Sequence, residues 1–402
     1  MIWSEYSHTI AMLTVGFAIA CEPADDLSTG QSQPTHTIDP DFSIGLVEGD
    51  SAYLFGDIVS VAVDAAGRVY VGDRIGATVR VYDDTGRYVD RIAREGEGPG
   101  EIYGWPADIT TGPGDRIYVR DGQRITTFAP TKPGGIADSV VATWRLPGYG
   151  NLSSTRSRVG TSGEYFYPGT RFRNDEPPRF FYLLFREGSP TGDTLNVPAY
   201  PGLTGQRRAF YRINAGSGRL LDGLSHVPFA AVPVWDVTDR GTVLSSTGRR
   251  DTLIETGIGN DTVRVIAGPT TGVIDVPTAE HADSTRALDA RLDSLPVPID
   301  EVIGLGDGVR ERRLPTTLPA IIGIHIGTDG SIWIERWPTE GQSQSRFYDV
   351  LDSDGRPRAR VVLQAALMRD PPPFFGTSFI AGIVRDADTG VQRVVRFSIP
   401  KN

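Results

Sequence analysis

The chain has one cysteine in 402 residues, Cys21, so no disulfide can form within it. Histidine is nearly as scarce, with five residues. There is no His-x-His, Cys-x-x-Cys or His-Glu-x-x-His cluster, which argues against a transition-metal site. No G-x-S-x-G elbow marks a nucleophile. Both phosphate-cradling glycine patterns, G-x-x-x-x-G-K-[ST] and G-x-G-x-x-G opening a helix, are missing. Positive charge is short as well: 40 Lys and Arg stand against 50 Asp and Glu, a net charge of −10. That balance sets aside nucleic acid and anionic lipid surfaces, both bound mainly through Lys and Arg. The apolar run Thr9 to Ala20 is too short to cross a bilayer as a helix.

That run does have the length of a signal-peptide core. Its end, Ala18-Ile19-Ala20-Cys21, resembles a bacterial lipobox, in which the leader is cleaved before the cysteine and the thiol is acylated. Residues 1–21 are thus expected to be a leader and 22–41 a polar tether containing Pro and Ser. The globular part then runs from 42 to 402. Glu22 after the cysteine fits release to the outer membrane. The alternative is an ordinary secretory signal or a buried strand, since MIWSEYSHT carries no Lys or Arg.

What is abundant is turn chemistry. The 47 glycines and 29 prolines suit a chain of many short strands, and 39% hydrophobic with 22% charged residues suits a packed core. From residue 42 onward one sub-pattern recurs: a β-rich run, an Asp/Gly turn, then an aromatic among β-branched neighbours. Its clearest copies are Val61–Val71, Gly112–Val119 and Gly327–Ile334, with weaker ones at Val159–Phe166 and Val237–Leu244. These read as hairpins, and each is followed by two more strand-like runs. Tyr70 and Tyr118 are 48 residues apart, the period of a four-stranded propeller blade. Blades are expected at about 56–105, 106–148, 149–206, 207–268 and 318–369. A last blade is built from Phe379–Val384 and Val391–Phe397, with Phe42–Val47 supplying its outer strand and so protecting the edge. The expected fold class is all-β: a six-bladed β-propeller closed by N- and C-terminal strands in one blade. A helical insertion covers about 277–317, where Leu288, Leu292 and Leu295 share one face and Pro296 ends the helix. The loop REGEGPGE, residues 94–101, falls where one blade crosses to the next and reads as a turn rather than a ligand cradle.

The lipobox-like start, the D-x-x-G-x-[IV]-Y-V blades, Arg94-Glu-Gly-Glu-Gly-Pro-Gly-Glu101, Gly330-Ser-Ile-Trp-Ile334 and Val391–Phe397 together resemble the bacterial six-bladed propeller lipoproteins related to NHL repeats. The resemblance covers about residues 42–402 and implies a fold and an envelope location, outer-membrane lipoprotein or periplasmic or secreted. It implies no common reaction.

Propellers usually bind ligands at the central channel. His325, among isoleucines on an expected inner strand, is a candidate ligand residue against the reading of a bonded interior histidine. Arg310, Arg312 and Arg313, after the helical insertion, could place positive charge at a channel mouth for an acidic or carbohydrate ligand. Trp105 and Trp235 could stack on a sugar. Asp73, Asp121 and Glu335 recur after the blade aromatic, which points to bonds with turn backbone. These residues lead to an exported, lipid-anchored, non-catalytic module, with no catalytic residue and no resident cofactor. It would be a monomer that takes a small polar ligand, glycan or envelope protein and meets the membrane only through Cys21. The alternative is a Ca2+-dependent hydrolase resembling the lactonase propellers, whose channel ion is held by Glu, Asn and Asp. The six asparagines of this chain all fall in loop-like contexts, which weakens that likeness.

Overall fold

A computed structural model describes residues 33–400 apart from 123, 147–155, 174–175, 187–188, 200–208, 214–216, 222–226, 304, 306 and 339–343. The expected leader, Cys21 and the first part of the expected tether lie outside the described residues, as do His8 and His226.

The D-x-x-G turns explain why the hairpins form where they do. In the first, Asp64 Oδ1 accepts from the Ala66 and Arg68 N–H groups, each at 3.0 Å, and Gly67 takes the left-handed conformation at φ 82°. Asp83 repeats the arrangement towards Thr85 and Arg87, and Asp352 towards Asp354 and Arg356. Each turn reverses a strand whose alternate side chains are apolar, so both faces of the resulting sheet can be covered.

Six antiparallel sheets of this kind follow one another around a ring. Their inner strands are Ile58–Val63, Pro106–Gly112, Arg158–Val159, Val234–Val237, Gly323–Ile326 and Phe374–Phe375. Outer strands are Tyr88–Glu95, Ala137–Arg145, Ser189–Asn196, Thr262–Ala267, Pro357–Leu363 and, in the sixth blade, Phe42–Ile44. That last strand pairs antiparallel with the C-terminal strand, Phe42 opposite Arg396 and Ile44 opposite Val394, so the two ends of the chain share one blade as expected. The core is a series of apolar layers between neighbouring blades. The motif aromatics Tyr70, Tyr118, Tyr165 and Trp333 are all buried in them.

REGEGPGE is a turn. Glu101 folds back so that its carboxylate accepts from Gly98 N–H at 2.8 Å and meets Arg94 at 3.2 Å, while Gly96 N–H donates to Ile102 O at 3.0 Å. The carboxylate is occupied in holding its own loop.

Two expectations are corrected. The tether does not extend to residue 41: Thr35–Ile38 is a strand lying parallel to the outer strand of blade five, from Thr35 opposite Arg360 to Ile38 opposite Leu363. Blade four begins at Val234, not near 207. Before it, Ala209–Ile213 and Ser217–Leu221 form a hairpin that pairs with Val302–Ile303, beyond blade four. The segments before and after blade four therefore join into one cap. Its helix, Thr278–Asp293, buries Leu288 and Leu292 against Phe229, Val302, Leu305, Val309 and Leu314.

Candidate functional site

All six inner strands contribute to a central cavity of about 1290 Å³. Each inner strand runs into a turn that fixes a common level. The turns close with backbone bonds from Asp64 to Arg68, Gly160 to Glu164, Thr238 to Thr242, Gly327 to Ser331 and Gly376 to Phe379, and by the pairing of Gly112 with Arg116. Two residues before each turn stand Ala62, Thr110, Arg158, Asp236, His325 and Phe374. Thr110 to Phe374 of this series all line the cavity. Chemically unlike side chains on successive blades thus converge at one height.

Arg158 and Arg156 tie that level together from blade three. Arg156 donates to Val61 O at 2.7 Å, to Ile109 O at 3.5 Å and to Pro372 O at 2.9 Å, reaching blades one and two and the segment leading into blade six. Arg158 Nη2 donates to Asp236 Oδ2 at 3.2 Å and also bonds Ile326 O, reaching blades four and five. Asp236 Oδ2 in turn accepts from Ile326 N–H at 2.8 Å. Burial pulls the pKa of Arg156 down; Asp108 and Asp236 oppose this and Arg158 adds to it, leaving it at about 10 and the group cationic at neutral pH. Asp108 accepts from Ser157 N–H at 2.8 Å and helps to seat this corner.

On the blade five side, the His325 ring stacks on Phe375 at 4.6 Å between centroids. Its Nε2 lies 3.5 Å from Glu335 Oε2, at the limit of a hydrogen bond. Glu335 Oε1 accepts from Arg369 Nε at 2.9 Å, and Arg346 is 3.9 Å away. Burial pushes the Glu335 carboxyl up, but the contact with His325 and the charges of Arg369, His325 and Arg346 outweigh it and hold the pKa at about 2. Glu335 is therefore a carboxylate committed to cations. Asp73 and Asp121 differ and follow the expected pattern: Asp73 accepts from Asp57 N–H at 3.1 Å and Gly56 N–H at 3.3 Å, Asp121 from Tyr103 N–H at 2.7 Å.

Apolar side chains form much of the remaining wall. Phe180 packs on Trp235 with centroids 4.7 Å apart, and the cap contributes Val227 and Phe229, which belong at once to the cap core and to the cavity lining. His281 stacks on Phe229 and holds it from the cap side.

Of the residues singled out in the sequence, His325, Trp235 and Glu335 reach this cavity. The others do not. Arg310 donates to Ile299 O and Val302 O, inside the cap. Arg312 pairs with Asp289 and Asp293 on the helix, and Arg313 with Glu311. Their charge stays with the insertion, because its helix presents acids one turn apart to receive it. Trp105 is 47% exposed on the crossing between blades one and two and is not part of the lining. Sequence reasoning missed Arg156, Arg158, Asp236 and Arg369. A usable signal was the Arg-Ser-Arg-Val run entering blade three, whose spacing puts both arginines on one side of a strand.

The donor set does not fit a hard cation. Among the described residues no three His, Cys, Asp or Glu side chains converge, and of the six acids that line the cavity Asp64, Asp236 and Glu335 are each paired with arginine. A Ca2+ site needs several uncommitted oxygens converging at one point.

A family model described as a 6-bladed beta-propeller matches residues 44–129, from the closing strand through most of blade two. The chain is a six-bladed β-propeller. Solved structures similar to this propeller include a protein of Bacteroides fragilis, at 10% identity over 91% of this chain and 100% of that one, with a TM-score of 0.45. Virginiamycin B lyase of Staphylococcus aureus aligns at 10% identity over 89% and 99%, TM-score 0.37. Regucalcin, a calcium-binding protein of Agrobacterium tumefaciens, aligns at 10% over 91% and 97%, TM-score 0.35. No curated protein matches the sequence. Likeness at this level brings no activity to the propeller. No helix among the described residues is long and apolar enough to cross a membrane.

Proposed function

We propose that this propeller is an exported, lipid-anchored binding module that takes a small amphipathic ligand in its central channel without chemical conversion. The observation that carries the reading is the cavity itself: about 1290 Å³, walled by all six blades and the cap, largely apolar, with Arg158, Asp236 and His325 at one level. Small-molecule sites are apolar hollows with a few convergent polar groups. Arg158 and Asp236 are paired with each other rather than poised as nucleophile and base. The calcium-dependent hydrolase reading has no such support, because no three His, Cys, Asp or Glu side chains converge among the described residues. Export and anchoring rest on the leader-like run ending at Cys21.

A thermal-shift screen of small acids, amines, neutral amphiphiles and sugars tests the binding reading. Compounds that raise Tm in the native protein and lose that effect in Trp235→Ala are expected. A screen with no such compound, or hits that Trp235→Ala keeps, would sink it. Metabolic labelling with radioactive palmitate tests the anchor: label is expected in the native chain and not in Cys21→Ala.

A further inference from the structure

We infer that the protein has a second binding site, outside the channel, for a phosphate group carried on an organic ligand. The site is a pocket of about 640 Å³ between blades four and five. Its walls come from the connection between the second and third strands of blade four, the outer strand of blade five with Thr35–Ile38 beside it, and the segment that leaves blade four for the cap. Arg249, Arg250, Arg336 and Arg360 line it, and Asp251 is the only acid in the described lining. That inverts the acidic balance of the chain as a whole.

The floor is fixed by a buried acid. Asp349, fully buried, accepts from Arg336 Nε at 2.8 Å on one oxygen and from Arg360 Nε at 2.9 Å on the other. Arg336 also bonds Asp251, Ala320 O and Pro269 O, so it belongs to the floor. Asp251 is filled in turn, since it takes Arg336 and both the N–H and the hydroxyl of Thr271. Arg360 is held only through Nε; its Nη1 and Nη2 have no acceptor among the described residues, and the side chain is 43% exposed. Arg250, exposed at the rim, has neither a hydrogen bond nor an ion pair among the described residues. Thr35 lines the pocket from the position opposite Arg360 and adds a hydroxyl. Donors thus arrive from blade four, blade five and the N-terminal strand. Several directions of approach suit the tetrahedral oxygens of a phosphate, and planar arginine forks are matched to them. The rest of the wall is apolar, with Phe347 and Val362 of blade five and Val273 and Ile274, which are 83% and 38% exposed. A bare ion leaves that surface and most of the volume unfilled, which is why the phosphate is assigned to an organic ligand.

Isothermal titration calorimetry on the full chain with phenyl phosphate and benzyl alcohol tests the inference, since the probes share a ring and differ in the charged head. Phenyl phosphate is expected to bind at least about tenfold more tightly at low salt, and to weaken as salt rises. Arg250→Ala, at an exposed residue without partners, is expected to cut that affinity by about fivefold or more and to leave the urea midpoint unchanged. Arg360→Gln should weaken phenyl phosphate likewise. Trp235→Ala should not, because Trp235 lines the channel and not this pocket. A soluble phosphate ester and a lipid headgroup present the same group, and co-sedimentation of Cys21→Ala protein with phosphatidylcholine vesicles, with and without phosphatidylglycerol, separates them. Sedimentation that needs both phosphatidylglycerol and Arg250 assigns a headgroup; phenyl phosphate binding without it assigns a soluble ester. Failure of phenyl phosphate to bind, equal binding of the two probes, or binding that both arginine variants keep overturns the inference. Loss of phenyl phosphate binding in Trp235→Ala overturns it as well, by moving the phosphate to the channel. The channel reading is judged by its own screen and stands or falls separately.

Discussion

Blades one and two and blades three to five are copies of one repeat that use its positions differently. At the common level of the inner strands, blades one and two carry Ala62 and Thr110, small residues that fill space. Blades three, four and five carry Arg158, Asp236 and His325, which reach across to one another or to the next blade. The same split holds at the acid after the motif aromatic. Asp73 and Asp121 bond backbone N–H groups of their own crossings and one arginine each, Arg80 and Arg124, whereas Glu335, one methylene longer, turns wholly to side chains, Arg369 and His325. The regular copies hold the ring, and the irregular ones line it with chemistry. The cap strengthens the division, since it is built from the two connections that flank blade four.

The largest expected effect lies at Glu335. Glu335→Gln leaves Arg369 and Arg346 beside an uncharged, buried partner; breaking a buried pair costs about 3–5 kcal/mol, and because Arg369 is 45% exposed the loss is expected at the lower end of that range. Urea unfolding measures it. A loss no greater than that of Asp73→Ala would erase the distinction between the two kinds of acid. The pH dependence sharpens the same point. The folded pKa of about 2 lies below the ordinary 4.5, so the stabilisation from ionised Glu335 is fully present above about pH 4.5 and is lost as pH falls towards 2. The native protein is expected to lose Tm through that window more steeply than Glu335→Gln, and parallel curves would remove Glu335 as the cause.

Asp73→Ala is next in size. It strips acceptors from the Gly56 and Asp57 N–H groups and leaves Arg80 without its partner at 3.5 Å, an expected loss of about 1–3 kcal/mol with ligand binding unchanged. Chemical denaturation reads the loss and calorimetry the binding. A change in binding would mean that the regular half of the ring also shapes the cavity.

The ring was legible in the sequence because its signals are local. An Asp-x-x-Gly turn and a period-2 strand declare themselves within about ten residues, and repetition then sets the blade count. Closure by Phe42–Ile44 followed from the need to cover an edge. The site was only partly legible, because it exists through contacts between blades far apart in the chain: Arg158 and Ile326, or Arg156 and Pro372, have no sequence proximity to betray them. His325 was found because a histidine among isoleucines is odd in its surroundings, and Trp235 because an aromatic side chain can stack on a ligand. Arg310, Arg312 and Arg313 misled for the complementary reason. A conspicuous cluster of charge in one segment found its counter-charges in that same segment. The hairpin at 209–221 was assigned to blade four because its own pattern is that of any hairpin; only its pairing with Val302–Ile303 places it in the cap.

The smallest effect is expected from the residues that looked most functional in the sequence. Arg312 pairs with Asp289 and Asp293 at the surface of the cap, and Arg313 with Glu311, all substantially exposed to solvent. Exposed pairs of this kind contribute little, since water solvates the separated charges nearly as well. Arg312→Ala with Arg313→Ala is therefore expected to leave both the denaturation midpoint and the affinity for channel ligands within experimental error, whereas Trp235→Ala abolishes the latter. A loss of affinity in the double arginine variant would place the cap's outer surface in the binding site and move the boundary between scaffold and chemistry from the inner strands to the insertion.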